Sequence, residues 1–216
     1  MPTNGFGVES SFMVGDYTPV PQRRATAGGR RSMSSAPRIL SVDEMPRVRG
    51  LRVPKDFYVV LETPARLAGM AYPRPGTPWH ALANLGLRHI VCLTQRVAPY
   101  DPSPLSLLCA VDLQDLYGGV APLCPDEERR KIEAAISPIL AVLGRGEGVL
   151  VHCEGGTGRT GTVLAAVLTD MGSDLPDVVG ALGDIHRARG TSWPESPWQR
   201  EFLERRCARS TPTAKA

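Results

Sequence analysis

Apolar positions along the chain fall into short continuous runs that alternate with longer stretches opened and closed by helix signals. Phe57-Tyr58-Val59-Val60-Leu61 and Arg66-Leu67-Ala68-Gly69-Met70 predict two short strands parted by Thr63-Pro64. Thr77-Pro78-Trp79 predicts a helix start, with a capping hydroxyl ahead of proline at the first helical position, and Gly86 predicts its end. Residues 89–94 form a β-branched run with the length of a buried strand, and another strand is expected over 107–113. Pro125-Asp126-Glu127-Glu128 opens a helix whose acidic first turn suits the macrodipole and which stops after Leu143, at Gly144-Arg145-Gly146. Gly148-Val149-Leu150-Val151-His152 is again a buried run. After a glycine-rich turn come an apolar helix over 160–171 and two further helices, over 175–189 and 196–208.

Strands alternating with helices through short turns specify an α/β fold, a central and mostly parallel sheet of about four to five strands flanked by helices. Residues 1–45 lack either periodicity and are rich in Gly, Ser, Thr, Pro and Arg, as in Ala27-Gly28-Gly29-Arg30-Arg31-Ser32. They are expected to form a disordered tail, ahead of a domain over 46–208 and a flexible C-terminus over 209–216. A targeting leader fits poorly with Glu9 and Asp16.

Composition narrows this further. With 42% of 216 residues hydrophobic and 22% charged, the chain can bury a core, which excludes a wholly disordered protein. The net charge of +3 is spread along the chain and implies neither nucleic acid nor an anionic membrane as partner. No apolar run approaches the roughly 20 residues that cross a bilayer, and no secretory signal opens the chain. Cys92, Cys109, Cys124, Cys153 and Cys207 form an odd set without CxxC spacing. That argues against a disulfide framework and a zinc site, and fits a cytoplasmic protein with one thiol free for chemistry.

The informative segment is Val151-His152-Cys153-Glu154-Gly155-Gly156-Thr157-Gly158-Arg159-Thr160-Gly161. It lies between a buried strand and a helix N-terminus, where open α/β sheets bind ligands and unpaired N–H groups face an anion. A cysteine at the head of such a turn sits in positive potential, which favours its thiolate. Curled into a cradle, Glu154, Gly155, Gly156, Thr157 and Gly158 offer N–H groups to phosphate oxygens, while Arg159 donates two parallel hydrogen bonds to the same group. Cys153 Sγ is then in line for attack on phosphorus. Gly155, Gly156 and Gly158 are expected to allow close approach and positive φ. Thr160 is expected to donate to the sulfur, and His152 to hold the loop through a ring hydrogen bond. The bland alternative is an inert thiol in a tight strand-to-helix turn. A nucleotide loop is excluded, since no Gly-Lys-Ser/Thr follows the glycines.

With His152-Cys153, five residues, then Arg159-Thr160, the chain resembles the cysteine-dependent protein tyrosine and dual-specificity phosphatases, whose signature is His-Cys, five residues, Arg, Ser/Thr. It is most similar to their small atypical dual-specificity, VHZ-like, type. Arg66-Leu67-Ala68-Gly69-Met70-Ala71-Tyr72-Pro73-Arg74 and Leu85-Gly86-Leu87-Arg88-His89-Ile90-Val91-Cys92-Leu93-Thr94 carry that likeness, which spans 56–205. It implies the phosphatase fold, a phosphocysteine intermediate with no metal or cofactor, and a phosphorylated protein or small phosphoester as substrate. A phospho-binding pseudophosphatase is the rival of another class. A rhodanese-type sulfurtransferase also places cysteine before a loop, but the Gly158-Arg159-Thr160-Gly161 ending and the upstream carboxylates speak against it.

Hydrolysis also needs a carboxyl that protonates the leaving oxygen and then activates water. Asp126 follows a proline at a helix start, where dipole stabilisation is its expected role. Asp112 falls inside the expected strand, where it is held rigidly. Asp115 stands just past it, before Leu116-Tyr117-Gly118-Gly119, whose glycines can hinge. The resemblance places the family's acid on this loop, although the interval to Cys153 implies an insertion. Trp193-Pro194-Glu195-Ser196-Pro197-Trp198-Gln199 resembles the segment that lies beside the phosphate loop in that family. Gln199 is expected either to place the hydrolytic water or to lie exposed behind a Ser196-Pro197 helix cap. Cys124 is a candidate disulfide partner of Cys153 under oxidation, or a plain loop thiol. Glu154 and a loop without lysine disfavour a polyanionic lipid headgroup and favour phosphotyrosine or phosphoserine/threonine in proteins. The fold around Tyr72, Tyr100 and Tyr117 sets the depth that separates these two.

Overall fold

The computed structural model describes residues 36–95 and 100–210. Five strands, β1 (Phe57–Leu61), β2 (Leu67–Met70), β3 (Leu87–Cys92), β4 (Ser106–Ala110) and β5 (Gly148–His152), form one sheet in the order β1-β2-β5-β3-β4. β1 is antiparallel to β2, and the remaining pairs are parallel. Every residue of β1, β2 and β5 is buried, as continuous apolar runs require when both faces of a sheet are covered.

Side chains alternate between two cores. Tyr58, Val60, Val91, Val149 and Val151 point into the larger one. It also takes in the apolar faces of α2 (Pro125–Leu143), α3 (Gly158–Asp170), α4 (Leu175–Ala188) and α5 (Pro197–Ser210). Phe57, Val59, Ile90 and Leu150 point into the smaller one, closed by Leu82 of α1 (Trp79–Asn84) and by Leu40 and Val48. Every residue of α3 from 160 to 168 is buried, so this helix is apolar all round, as a central helix must be. β5 and α3 therefore hold the turn between them on two rigid elements, at the carboxyl end of the middle strand, where such sheets bind ligands.

Several boundaries differ from the sequence expectation. α1 has Pro78 at its N-cap, and the Thr77 hydroxyl instead bonds the backbone of Arg74, closing the preceding turn. β3 starts two residues earlier than expected, since Leu87 already pairs with Gly148 of β5, with an irregularity at Arg88 before His89 resumes the register. β4 ends at Ala110, so Asp112 lies past the strand and not inside it. α3 begins at Gly158 and α5 runs on to Ser210. Residues 1–35 and 211–216, most of the expected tail and C-terminus, lie outside the described residues. Residues 36–45, counted with the tail, join the domain: Leu40 donates its N–H to Val60 O at 3.0 Å, and Leu40 and Met45 are buried.

Candidate active site

Cys153 sits at the first position after β5 with 2% of its surface exposed, and its Sγ accepts the Gly156 N–H at 3.2 Å. The turn is fixed by Gly156, whose φ is +69° and where a Cβ would come within 2.4 Å of the Met70 carbonyl. Gly158 makes a different close approach, since a Cβ there would collide with the Glu195 carboxylate. Gly155 meets neither demand: its φ is ordinary and a Cβ would find open space. Tyr72 donates its N–H to Glu154 O at 2.9 Å, tying the loop to the segment after β2. Glu154 and Gly155 face solvent, and Thr157 is buried with its hydroxyl 3.5 Å from that of Thr191.

His152 is fully buried, and burial pushes its imidazole down to about 4, so the ring is neutral at physiological pH. Its Nε2 lies 2.5 Å from the Tyr100 hydroxyl and its Nδ1 3.4 Å from Cys153 O. A neutral ring satisfies both by donating at Nδ1 and accepting at Nε2. Tyr72 meets Tyr100 and His152 edge-on, and Trp79 stacks on Tyr100, so an aromatic group backs the loop's first residue. Tyr117 stands apart, 79% exposed.

Arg159, on the first turn of α3, is largely buried, with its side chain 10% exposed. Its Nη2 donates to Asp115 Oδ2 at 2.9 Å and its Nη1 to Leu113 O at 3.3 Å. Asp115 is more than half exposed, and its other oxygen accepts the Tyr117 N–H at 3.1 Å, a turn of the kind aspartate makes with its own loop. The fold thus brings Asp115 to Arg159 and leaves the other candidates elsewhere. Asp112 accepts the Gln95 N–H at 3.1 Å, and Asp126 pairs with Arg129 at 2.6 Å on the exposed first turn of α2.

Thr160 is buried with its hydroxyl unbonded, and no hydrogen bond joins it to the sulfur. Gln199 is buried and not exposed: its Oε1 accepts the N–H groups of Glu195 at 2.7 Å and Ser196 at 3.1 Å, which leaves its Nε2 beside Gly158 of the loop. Cys124 is exposed at the N-cap of α2, and Cys92 is a buried thiol on β3.

One residue escaped the sequence reading. Glu195 sits over the N-terminus of α3, where its carboxylate accepts the Gly158 N–H. Burial raises its proton affinity, repulsion from Asp115 raises it further, and Arg159 and the Gly158 N–H pull the other way. The signal was its place in Trp193-Pro194-Glu195-Ser196, a carboxylate inside an otherwise uncharged segment.

Solved structures of similar fold include Tk-PTP in a mutant form (19% identity, 70% of this chain and 95% of that one, TM-score 0.51). A mouse putative dual specificity phosphatase complexed with zinc tungstate matches at 17% identity over 66% of this chain and 82% of that one, TM-score 0.52. Human DUSP28 matches at 20% identity over 66% and 88%, TM-score 0.50. The family model of the DSP-PTPase phosphatase domain of Swiss Army Knife proteins matches residues 57–211, from β1 through α5, and the chain belongs to that family of cysteine-dependent phosphatases.

Proposed function

We propose that the chain hydrolyses phosphotyrosine and phosphoserine/threonine in proteins through a phosphocysteine on Cys153, without a metal ion. The observation that carries this reading is the Cys153 sulfur accepting the Gly156 N–H at the foot of α3, with Arg159 and Asp115 paired on the same helix end. The entering phosphate displaces Asp115 from Arg159, and the guanidinium takes two of its oxygens. Released from Arg159, Asp115 takes up a proton from solvent; Cys153 Sγ attacks phosphorus, the P–S bond forms as the ester P–O bond breaks, and Asp115 gives that proton to the leaving oxygen. Water then attacks phosphorus and yields its proton to Asp115, and the P–S bond breaks to return the thiolate and free phosphate. The loop N–H groups and Arg159 supply the charge stabilisation throughout.

The carboxylates of Asp115 and Glu154 near the cradle support a phosphoprotein over a multiply charged headgroup. PTPMT1, a protein of similar fold at 15% identity and TM-score 0.50, has been solved in complex with PI(5)P, which makes the headgroup the comparison of choice. Turnover of a phosphotyrosine peptide, a phosphoserine peptide and PI(5)P with chelator present, together with acid-quench mass spectrometry of the Cys153 peptide, tests the proposal. A phosphorylated Cys153 peptide, loss of turnover in Cys153→Ser and preference for the peptides are expected. Undiminished activity of Cys153→Ser, or loss on chelation restored by a divalent ion, overturns the mechanism.

A further inference from the structure

Two consecutive peptide groups of the catalytic loop are gripped by their carbonyls. Gly155 O accepts from Arg189 Nη2 at 2.8 Å, and Gly156 O accepts from the Tyr58 hydroxyl at 2.9 Å. The first of these peptides carries the Gly156 N–H that donates to Cys153 Sγ at 3.2 Å. A guanidinium and the sulfur therefore sit at opposite ends of a single peptide dipole of about 3.5 D, the cation at its oxygen and the thiol at its hydrogen.

Arg189 is buried, 8% exposed, and among the described residues no carboxylate lies within ion-pairing distance of it. Its remaining contacts are Pro54 O at 3.3 Å and the face of the Tyr58 ring, 4.7 Å from its guanidinium carbon. A buried cation without a counter-ion is costly, and the hydrogen-bonded path from this one leads through a peptide to the nucleophile. The fold makes room for the arrangement. Tyr58 of β1 pairs with Gly69 of β2, and a Cβ at 69 would lie 2.3 Å from the ring, so the missing side chain lets the phenol cross β2 and reach the loop.

We propose that Arg189 is a positioning residue that stabilises the Cys153 thiolate through the Gly155-Gly156 peptide, and that Tyr58 separately fixes the next peptide so that the Thr157 N–H meets the phosphate. The inference rests on Cys153 being the nucleophile. The other groups around the sulfur are Tyr58 and Cys92, both electrostatically coupled to it, the neutral His152 beside it, and Arg159 with its neighbours Asp115 and Glu195. His186, edge-on to Tyr58, is held neutral by burial and adds no charge of its own.

The test is the pH dependence of iodoacetamide alkylation at Cys153, followed by mass spectrometry of its own peptide, alongside KM for para-nitrophenyl phosphate. Arg189→Gln keeps a donor for Gly155 O and removes the charge; its alkylation profile is expected to move about one pH unit to the alkaline side. Arg189→Lys, which keeps the charge, is expected to move less than half as far. Tyr58→Phe deletes one oxygen from a ring buried in place, and should leave the alkylation profile alone while raising KM about five-fold, the worth of one hydrogen bond. A folded Arg189→Gln with the wild-type profile overturns the inference, as does Tyr58→Phe with wild-type KM or a shifted profile. Should Arg189→Gln fail to fold, Arg189→Lys and Tyr58→Phe decide. A wild-type Cys153 that alkylates no faster than Cys92 or Cys207 would instead refute the nucleophile assignment on which this rests.

Discussion

Asp115 and Arg159 form an ion pair 2.9 Å long across the mouth of the site, so the proposed acid and the proposed phosphate clamp neutralise one another until a substrate parts them. Binding an oxyanion therefore carries the cost of breaking that pair. Asp115→Asn should tighten vanadate inhibition several-fold, since exposed pairs of this kind are worth about 0.2–1 kcal/mol and a competing charge is also removed. The same variant should slow alkyl phosphates far more than para-nitrophenyl phosphate, whose phenolate leaves without help. Vanadate inhibition that is unchanged or weaker would show that Asp115 does not compete for Arg159.

The two loop glycines at 155 and 156 should respond differently to alanine. Gly156→Ala places a Cβ against the Met70 carbonyl at a positive φ, and is expected to lower stability by about 1–3 kcal/mol and to abolish most activity. Gly155→Ala points a methyl into open space and should stay within about 0.5 kcal/mol of wild type in urea melts. Equal losses in the two variants would contradict the described loop conformation.

Glu195 should leave a pH signature on stability. The folded protein holds its proton to higher pH than the unfolded chain does, so the cost of ionising it is absent below the ordinary value of 4.5, grows as pH rises from there to the raised value, and is constant above it. Glu195→Gln keeps an acceptor for the Gly158 N–H and should gain about 2–4 °C in Tm at pH 7.5 and nothing at pH 4. Calorimetry at the two pH values settles it; a gain confined to pH 4 has the wrong sign.

His186 gives the opposite dependence. Its ring is buried with neither nitrogen bonded, and burial pushes it down to about 3. The unfolded chain protonates this imidazole near pH 6.5 while the folded protein does not, so stability falls as the pH drops from 6.5 toward 3. His186→Phe retains an aromatic edge for Tyr58 and should recover about 2 kcal/mol at pH 5, with little change at pH 8. Urea midpoints at both pH values measure this.

Local signals made some of this legible in the sequence and folding supplied the rest. α2 is bounded as read, from Pro125 to Leu143, because proline opens it and glycines close it; β5 likewise is an apolar run flanked by Gly148 and the turn. The positions of Cys153 after β5, of Arg159 at the start of α3 and of Asp115 on a glycine-containing loop were legible because strand, turn and helix signals are local. Glu195 was not, since its role comes from the fold laying residue 195 against residue 158. The Thr160 hydroxyl is unbonded, and whether a hydroxyl one turn into a helix finds a partner depends on packing that the sequence does not carry. Leu40 and Met45 are two anchors in a segment without periodicity, and the Leu40 hydrogen bond to Val60 O leaves no trace in composition.

Because α3 has almost no solvent face, its central amide hydrogens are expected to exchange only when the whole domain opens, and the base of the Cys153 loop to share that durability. The Asp115 loop stands at the other extreme: Tyr117, Val120 and Leu123 are exposed, and Gly118 and Gly119 lie in the left-handed region. Thiol and carboxyl are thus expected to open in different cooperative units. On the proposed mechanism, warming below the melting point is expected to loosen proton delivery from Asp115 while Cys153 stays in place, so heat should erode turnover of poor leaving groups before reaction with good ones.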